Sequence, residues 1–195
     1  MKISSSLRKL TFEFISILFA VLLALFLNQC KEDRKNRKLG RQSEKEIIKE
    51  IRDNFKDLKQ IQEANQARLK SFREWKKRYK KDSKTDYKPL FGFDHALLHS
   101  NGWQNAVLYQ AIPHMRKDFV KNASEIYSLQ RFYMSYAENY FNSLGNELHA
   151  DDSKRALRIN VGIHQLSTIT KTADLLLEAY KGILPKDLGK SKVPK

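Results

Sequence analysis

The sequence is poor in the residues that cross-link a chain or interrupt its helices. Of its 195 residues, one is cysteine, four are proline and seven are glycine. A single cysteine excludes an internal disulfide framework and a metal site built from several cysteines. The low glycine and proline content argues against a turn-rich β-sandwich and against disordered low-complexity sequence. With 30% charged and 41% apolar residues, the composition favours long amphipathic helices.

Recognisable catalytic motifs are also missing from the sequence. It contains no phosphate-binding P-loop, no dinucleotide-binding glycine pattern and no G-x-S-x-G nucleophile motif. Cys30 has no nearby histidine that could activate it as a nucleophile. The adjacent carboxylates Asp151 and Asp152 are interpreted as caps of a following helix. The sequence therefore predicts a non-enzymatic protein with no catalytic residues and no cofactor.

One pair of histidines has a spacing that zinc sites use. In a helix beginning at Asp94, His95 and His99 would lie four residues apart on one face. The zinc-protease motif has Glu after its first histidine, whereas Ala96 stands there. We therefore interpret the histidines as a surface or packing pair and predict no metal site. Candidates for a third ligand are distant in the sequence: His114, His149 and His164.

Residues 10–27, LTFEFISILFAVLLALFL, form the longest apolar stretch. Eighteen helical residues rise about 27 Å, close to the thickness of a bilayer's hydrocarbon core. No A-x-A cleavage site follows, and Gln29 is too large for the position before a lipidated cysteine, so we favour an uncleaved anchor over a cleaved or lipidated form. No other stretch is comparable, which predicts a single pass through the membrane.

The net charge of +15 is concentrated just after this stretch. Residues 31–90 hold 21 basic and 11 acidic side chains, a net charge of +10. The positive-inside rule favours a cytoplasmic location for the larger C-terminal part. In that orientation the first basic side chains would face anionic lipid. These predicted lipid-facing residues are Lys31, Arg34, Lys35, Arg37, Lys38 and Arg41.

A second basic cluster offers a different interpretation, which is contact with nucleic acid. Acidic residues such as Glu44 and Glu50 are interspersed along the same segment and weaken its field. We therefore favour a solvated helix with lipid contacts, and nucleic acid is not an expected partner. The second cluster consists of Arg73, Lys76, Lys77, Arg78, Lys80, Lys81 and Lys84.

Glu13 lies inside the apolar stretch, three residues from its beginning. An ionisable group at membrane depth is a functional candidate by default. One alternative is a homo-oligomer in which several copies of Glu13 conduct or couple protons. The other is a carboxylate close enough to the interface to reach water.

The stretch from Glu13 to Arg34 resembles a family of small single-pass bacterial membrane proteins catalogued as a domain of unknown function. Its pattern has an early Glu and then Ala-Leu-x-x-Asn-x-Trp-x-Glu-x-Arg. Cys30 replaces the tryptophan. Residues 103–106 (W-x-x-A) and 124–130 (SEIYSLQ) are also similar. The resemblance implies an inner-membrane protein and supplies no activity. The matching positions are Glu13, Ala24, Leu25, Asn28, Glu32 and Arg34.

Beyond residue 30 the apolar residues recur with helical spacing. A heptad-like seam, typical of coiled coils, includes Ile48, Ile51, Phe55, Leu58, Gln62, Asn65, Leu69, Phe72, Lys76 and Tyr79. We expect this seam to pack on later helices of the chain in preference to a second subunit.

Breakers within 81–93 predict a loop. We then expect a short helix starting at Asp94, another over 103–111, and a third helix with Pro113 in its first turn, ending near Leu148. The third helix has an aromatic stripe, interpreted as core: Tyr127, Phe132, Tyr133, Tyr136 and Tyr140. The other positions on the same face of this helix are Phe119, Ala123, Ile126, Gln130, Ala137, Phe141 and Leu144.

The stripe of a fourth helix consists of Ile159, Ile163, Leu166, Thr170, Ala173, Leu177, Tyr180 and Leu184. The sequence thus predicts an all-α fold, in which an N-terminal transmembrane helix continues into a long amphipathic helix packed in an antiparallel bundle. We divide it into a membrane anchor (1–30), a helical stalk and bundle (31–184) and a basic tail (185–195). The expected role is structural, scaffolding or sensory input, with membrane lipids and a second copy or another membrane protein as partners.

Overall fold

In the computed structural model, residues 5–81, 94–147 and 155–184 are described, and across them the fold is all-helical. Lys81, the first residue of the expected loop over 81–93, is helical. Residues 82–93, the caps Asp151 and Asp152, His149 and the basic tail lie outside the described residues. The elements are α1 (Ser5–Lys81), α2 (Asn101–Leu108), a 3₁₀ turn (Ile112–His114), α3 (Lys117–Glu147) and α4 (Arg155–Ile183).

Helix α1 runs through two different environments without a break. It has 77 residues, which corresponds to about 115 Å at 1.5 Å per residue. All side chains from Lys9 to Gln29 are exposed, including the entire apolar stretch. From Gly40 onwards α1 has a buried face that packs on α2, α4 and the 3₁₀ turn. The prediction that an apolar helix continues into an amphipathic one is confirmed.

The helices of the bundle alternate in direction. Along the chain, Arg116 just before α3 bonds Glu44 of α1, and Tyr127 and Gln130 of α3 bond Glu50 and Asn54. The α1 partners come later in the chain in the same order, so α3 runs parallel to α1. On α4, Thr170 lies beside Gln62 while Ser167 lies beside Arg73. Helix α4 therefore runs antiparallel to α1 and α3, and the α1 seam is buried against the same chain.

The buried seam of α1 departs from the predicted one at its two ends. Ile51, Leu58, Gln62, Asn65, Leu69 and Phe72 are buried as predicted. Ile47, Asn54 and Trp75 are buried at positions where we predicted Ile48, Phe55 and Lys76. The buried residues from Ile47 to Trp75 take eight steps over 28 residues, so they keep a repeat of 3.5 residues and lie one residue earlier than predicted at these three positions.

The segment between α1 and α3 differs most from the prediction. Residues 94–100 are not helical, α2 begins at Asn101 and ends at Leu108, and Pro113 belongs to the separate 3₁₀ turn. The short helix expected from Asp94 is wrong because the backbone of 94–100 bonds side chains of α1 and α3, as described below.

Helices α3 and α4 bury most of their predicted stripes. The buried members in α3 are Phe119, Ala123, Ile126, Tyr127, Gln130, Tyr133, Ala137 and Tyr140. Phe132, Tyr136 and Phe141 are 60%, 43% and 40% exposed, so they do not widen the core as expected. On α4, Leu176 is buried while Leu177 is only half-buried.

Gly40 marks the closest approach between α1 and the 3₁₀ turn. A Cβ atom built on Gly40 would lie 2.1 Å from the His114 carbonyl oxygen and 2.5 Å from its carbon. Both contacts are with backbone, which cannot rotate away as a side chain could. A glycine in the middle of a helix is unfavourable by itself, and here the missing side chain lets the turn pack against α1.

We expect Gly40→Ala to lower the stability of the bundle by about 1–3 kcal/mol, the usual cost of overpacking. Gly182→Ala is the matched control, because a Cβ atom there meets nothing within 4 Å and alanine is the better helix former. Thermal unfolding followed by circular dichroism measures both. Equal melting temperatures for the two variants would contradict the packing role of Gly40.

Candidate functional site

The exposed apolar part of α1 is the first candidate. An 18-residue window reaches a mean hydropathy of 2.5, and none of it is buried within the protein. The large side chains from Leu10 to Leu27 are 46–74% exposed. Among the described residues, α1 is the one helix long and apolar enough to cross a membrane. A soluble protein rarely exposes so large a contiguous apolar surface.

Glu13 is exposed on this apolar segment. It lines a surface groove together with Lys9, Phe12 and Ser16. Lys9 precedes it by one helical turn, so the two charges share a face of α1. The Ser16 hydroxyl donates to the Phe12 carbonyl at 2.9 Å, which satisfies this polar group within the helix. Glu13 is thus the acidic group that a bilayer or a second copy would meet.

The predicted lipid-facing basic residues lie on α1 just beyond this apolar segment. All six, Lys31, Arg34, Lys35, Arg37, Lys38 and Arg41, are exposed. Arg37 donates its Nε–H to the Asp33 carbonyl at 3.2 Å, and the Asp33 carboxylate accepts from Gln29 at 3.1 Å. Cys30 is half-buried and free.

A buried polar network is the second candidate, and it is centred on the amide of Asn54. The Asn54 Nδ2 donates to the His99 carbonyl at 2.8 Å, and the His99 backbone N–H donates to Asn54 Oδ1 at 2.9 Å. Gln130 donates to the same carbonyl at 2.7 Å. The Tyr180 hydroxyl donates to Gln130 Oε1 at 3.0 Å. Four elements meet here, and Asn54 is fully buried.

A second asparagine holds the other end of the 94–100 segment. Asn65 Nδ2 donates to the Asp94 carbonyl at 2.7 Å, and the Asp94 N–H donates back at 3.4 Å. Arg68 pairs with the Asp94 carboxylate at 2.7 Å. Between the two asparagines, the Ala96 N–H donates to the Tyr133 hydroxyl at 3.4 Å. Side chains therefore satisfy backbone groups that a helix would have paired with one another.

Two glutamates of α1 hold the chain on the other side of the network. Glu50 accepts from the Gly102 backbone N–H at 2.8 Å and from the Tyr127 hydroxyl at 2.6 Å. Glu44 accepts from the Arg116 backbone N–H at 2.7 Å and from its Nε–H at 3.0 Å. Both carboxylates are anchored by several donors and serve to position α2 and α3.

The tyrosines of the network are held in their neutral form. Burial raises the pKa of Tyr127, and the hydrogen bond with Glu50 and the charge of that carboxylate raise it further. Burial also raises the pKa of Tyr133 and Tyr180. A neutral hydroxyl keeps its proton for donation, which is what Glu50 and Gln130 require.

The histidine pair does not have the predicted geometry. His95 and His99 lie on a non-helical segment, so their spacing no longer puts both rings on one helix face. His99 contributes its backbone to the network, and the His95 ring packs edge-on against Phe141 at 5.0 Å. Among the described residues, no group of three His, Cys, Asp or Glu side chains could hold a metal ion.

A shallow groove of about 510 Å³ lies between the 94–100 segment and α3. Its lining includes His95, Leu98, Tyr127, Arg131 and Phe141. The groove combines aromatic rings with a cation, and Ser100, Ser135 and Glu138 also line it. In the second basic cluster, Arg73 donates to Ser167 of α4 at 3.4 Å, and Lys84 lies outside the described residues.

Sequence reasoning found the apolar segment and the charges that follow it but missed the polar network. The polar positions of the α1 seam, Gln62 and Asn65, were the available signal, since polar residues at buried positions require partners. Asn65 bonds the backbone of Asp94, and Gln62 donates to the Thr170 carbonyl and the Asp174 carboxylate of α4. No spacing rule reveals these distant partners. Comparison with protein-family models, with curated proteins and with solved structures finds no match to this chain. The resemblance to a family of single-pass proteins stays a prediction.

We expect Asn54→Ala to destabilise the bundle by about 1–3 kcal/mol, because it removes a fully buried side chain and both of its hydrogen bonds with the His99 backbone. Asn122→Ala is the control, since Asn122 is exposed on α3 and alanine favours a helix. Urea unfolding measures both variants. A loss for Asn54→Ala no larger than for Asn122→Ala would contradict the proposed anchoring.

The buried tyrosines should give the bundle a characteristic alkaline response. Tyr127, Tyr133 and Tyr180 have folded-state pKa values above the ordinary 10.0. Unfolded tyrosines ionise near pH 10, so the stabilisation is complete below that pH and is lost as the pH rises above it. Absorbance of tyrosinate, followed together with circular dichroism, should show at least these three of eight tyrosines ionising only with unfolding. Ionisation of all eight in a folded chain near pH 10 would refute this.

Proposed function

We propose that this chain is a non-enzymatic, single-pass membrane protein whose bundle has a structural, scaffolding or sensory-input role. The observation that carries the proposal is the continuity of α1. One helix exposes an apolar surface of membrane-spanning length and then enters the core of the bundle with no break. A rigid helix transmits position and rotation between its two ends, as a scaffold or an input module requires.

The bare part of α1 supports this role. Between Leu27 and Gly40 the side chains are exposed or half-buried, and all the basic side chains from Lys31 to Lys38 are exposed. Thirteen residues correspond to about 20 Å of helix. The bundle would thus be joined to the bilayer through a charged stalk, whose length is set by its number of residues.

The charges of the stalk support a cytoplasmic bundle at the inner membrane. Lys2, Arg8 and Lys9 precede the apolar segment, whereas six basic residues with exposed side chains follow it. Positive residues near the ends of a spanning helix are retained on the cytoplasmic side. A reporter that is active only in the cytoplasm should give a signal when it is fused after Lys195. A reporter that is active only outside the cytoplasm should give none.

A second candidate is a homo-oligomer that couples protons through Glu13, which the exposure of Glu13 on the apolar surface favours. Glu13→Gln removes the titratable group and keeps the shape. This candidate requires the variant to lose proton flux in proteoliposomes or to change its oligomeric state in detergent. An unchanged flux and an unchanged mass would eliminate it.

Membrane insertion is tested by extraction with alkaline carbonate. The full chain should remain in the membrane pellet, and its mass should show that the segment before Cys30 is retained. Charges at the helix centre each oppose insertion by about 2.5–3.5 kcal/mol, so the double variant Leu18→Arg and Leu22→Arg should move to the soluble fraction. Leu97→Arg is the matched control, because Leu97 is 67% exposed on the bundle. Extraction of the unmodified chain would refute the proposal.

A further inference from the structure

The bundle has one end that faces back towards the apolar segment. The Gly102 N–H bonds Glu50, and further along the chain His114 packs against Gly40. Helix α2 therefore runs along α1 in the direction of residue 27. The chain then turns, and Arg116 bonds Glu44 as α3 starts back. We call residues 107–115, which make this turn, the membrane-side corner.

The C-terminal end of α4 does not reach this corner. Leu184, just beyond α4, lines a groove with Arg52 and Phe55, well above the level of Gly40 on α1. Among the described residues, the membrane-side corner is thus the part of the packed bundle closest to the apolar stretch.

Three consecutive apolar side chains are exposed at the corner. Val107, Leu108 and Tyr109 are 54%, 72% and 61% exposed. They end a helix of eight residues whose one buried residue is Ala106. An exposed cluster of aliphatic and aromatic side chains is typical of surfaces that touch a membrane interface or another protein.

The backbone fixes how these side chains are presented. The Ala111 N–H donates to the Ala106 carbonyl at 2.8 Å, and the Gln110 N–H donates to the Val107 carbonyl at 3.1 Å. Gln110 has a φ of 56°. Together these features form a Schellman motif, here with glutamine in the left-handed position that glycine usually occupies. The apolar tip is therefore held by a defined turn.

An apolar groove with two lysines continues this surface. It has a volume of about 430 Å³ and is lined by Ile112, Pro113, Met115, Lys117, Val120, Lys121 and Ser124. Both lysines are exposed. Apolar side chains next to lysines match an anionic membrane surface, where acyl chains and phosphate headgroups adjoin.

The distance to the bilayer is compatible with contact. Gly40 lies thirteen residues beyond Leu27, or about 20 Å along α1. Headgroups occupy roughly the first 5–8 Å outside the hydrocarbon. The corner also projects sideways by about the 8–10 Å that separates packed helices. The radius of α2 with its side chains adds about 5–6 Å to this projection. Spanning helices tilt by up to about 40°, and a tilt of that size towards α2 lowers the outer side chains of the corner to about 6 Å above the hydrocarbon, within the headgroups.

We propose that the membrane-side corner rests on the surface of the membrane that α1 crosses. Val107, Leu108 and Tyr109 enter the interface, and Lys117 and Lys121 face anionic headgroups. Contact at the corner fixes the tilt of α1 and gives the bundle a second point of attachment. This inference rests on the proposed membrane anchor, which the experiment below tests separately.

The test uses single cysteines labelled with an environment-sensitive fluorophore, in a Cys30→Ser chain reconstituted in vesicles of phosphatidylcholine and phosphatidylglycerol. Leu108→Cys reports on the corner. Leu97→Cys is the matched control. Leu97 is 67% exposed, close to the 72% of Leu108, but it lies on the segment held between Asn54 and Asn65. Leu22→Cys reports on insertion of α1. Quenching by spin-labelled lipid is measured for each probe.

We expect quenching at position 108 to exceed that at position 97 by at least about twofold, as for a side chain in the interface. Equal quenching at 108 and 97, with strong quenching at 22, would overturn the corner contact and leave the membrane anchor intact. Weak quenching at position 22 would refute the anchor itself. A probe at 108 that is shielded from water but not quenched by lipid would show a protein covering the corner, which also overturns the proposal.

A charge variant tests the lysines. Lys117→Glu with Lys121→Glu should reduce the quenching at position 108 towards the value at position 97, most strongly at low salt, where screening is weak. Lys70→Glu with Lys171→Glu makes the same change in charge at exposed positions far from the corner and should have no effect. Equal loss with both pairs would show that net charge alone acts and would contradict a lysine contact at the corner.

Discussion

The structure depends on a match in length between a helix and an extended segment. Asn54 and Asn65 are separated by eleven residues, or about 16 Å of helix. The backbone groups that they bond, at His99 and Asp94, are separated by five residues, or about 16 Å of extended chain. Two asparagine side chains on one helix face can therefore hold both ends of the 94–100 segment. The groove between the 94–100 segment and α3, and the position of α2, follow from that attachment.

Because this attachment is made by side chains, α1 contributes hydrogen bonds to its neighbours while keeping its own backbone bonds. Burying an amide is costly unless its donor and acceptor are both paired. Asn54 meets this requirement because the backbone carbonyl and N–H of one residue, His99, pair with its donor and acceptor. Gln130 also donates to the His99 carbonyl, and Tyr180 donates to Gln130. An aliphatic residue at position 54 could not specify where along α1 the segment lies, so the amide supplies register as well as stability.

The features that periodicity and hydropathy encode could be predicted from the sequence. They include the apolar stretch, the length of α1, the buried residues from Leu58 to Phe72 and the core face of α3. Asn54 could not be predicted as a buried residue, since the neighbouring Phe55 is more apolar and the partner of Asn54 lies 45 residues away. The helix expected at Asp94 failed for the same reason. Its local sequence allows a helix, but tertiary hydrogen bonds compete successfully for its backbone.

The bare stalk of α1 also sets an angle. Each residue of an α-helix advances about 1.5 Å and turns by about 100°. Adding one residue between Leu27 and Gly40 would therefore lift the bundle slightly but swing the side that carries α2 by more than a quarter of a circle about the helix axis. Adding seven residues would lift it by about 10 Å and restore nearly the same facing, since seven residues complete almost two turns. The number of residues in the stalk thus sets the rotation of the bundle about the helix axis, relative to the apolar segment, as strictly as it sets the distance between them.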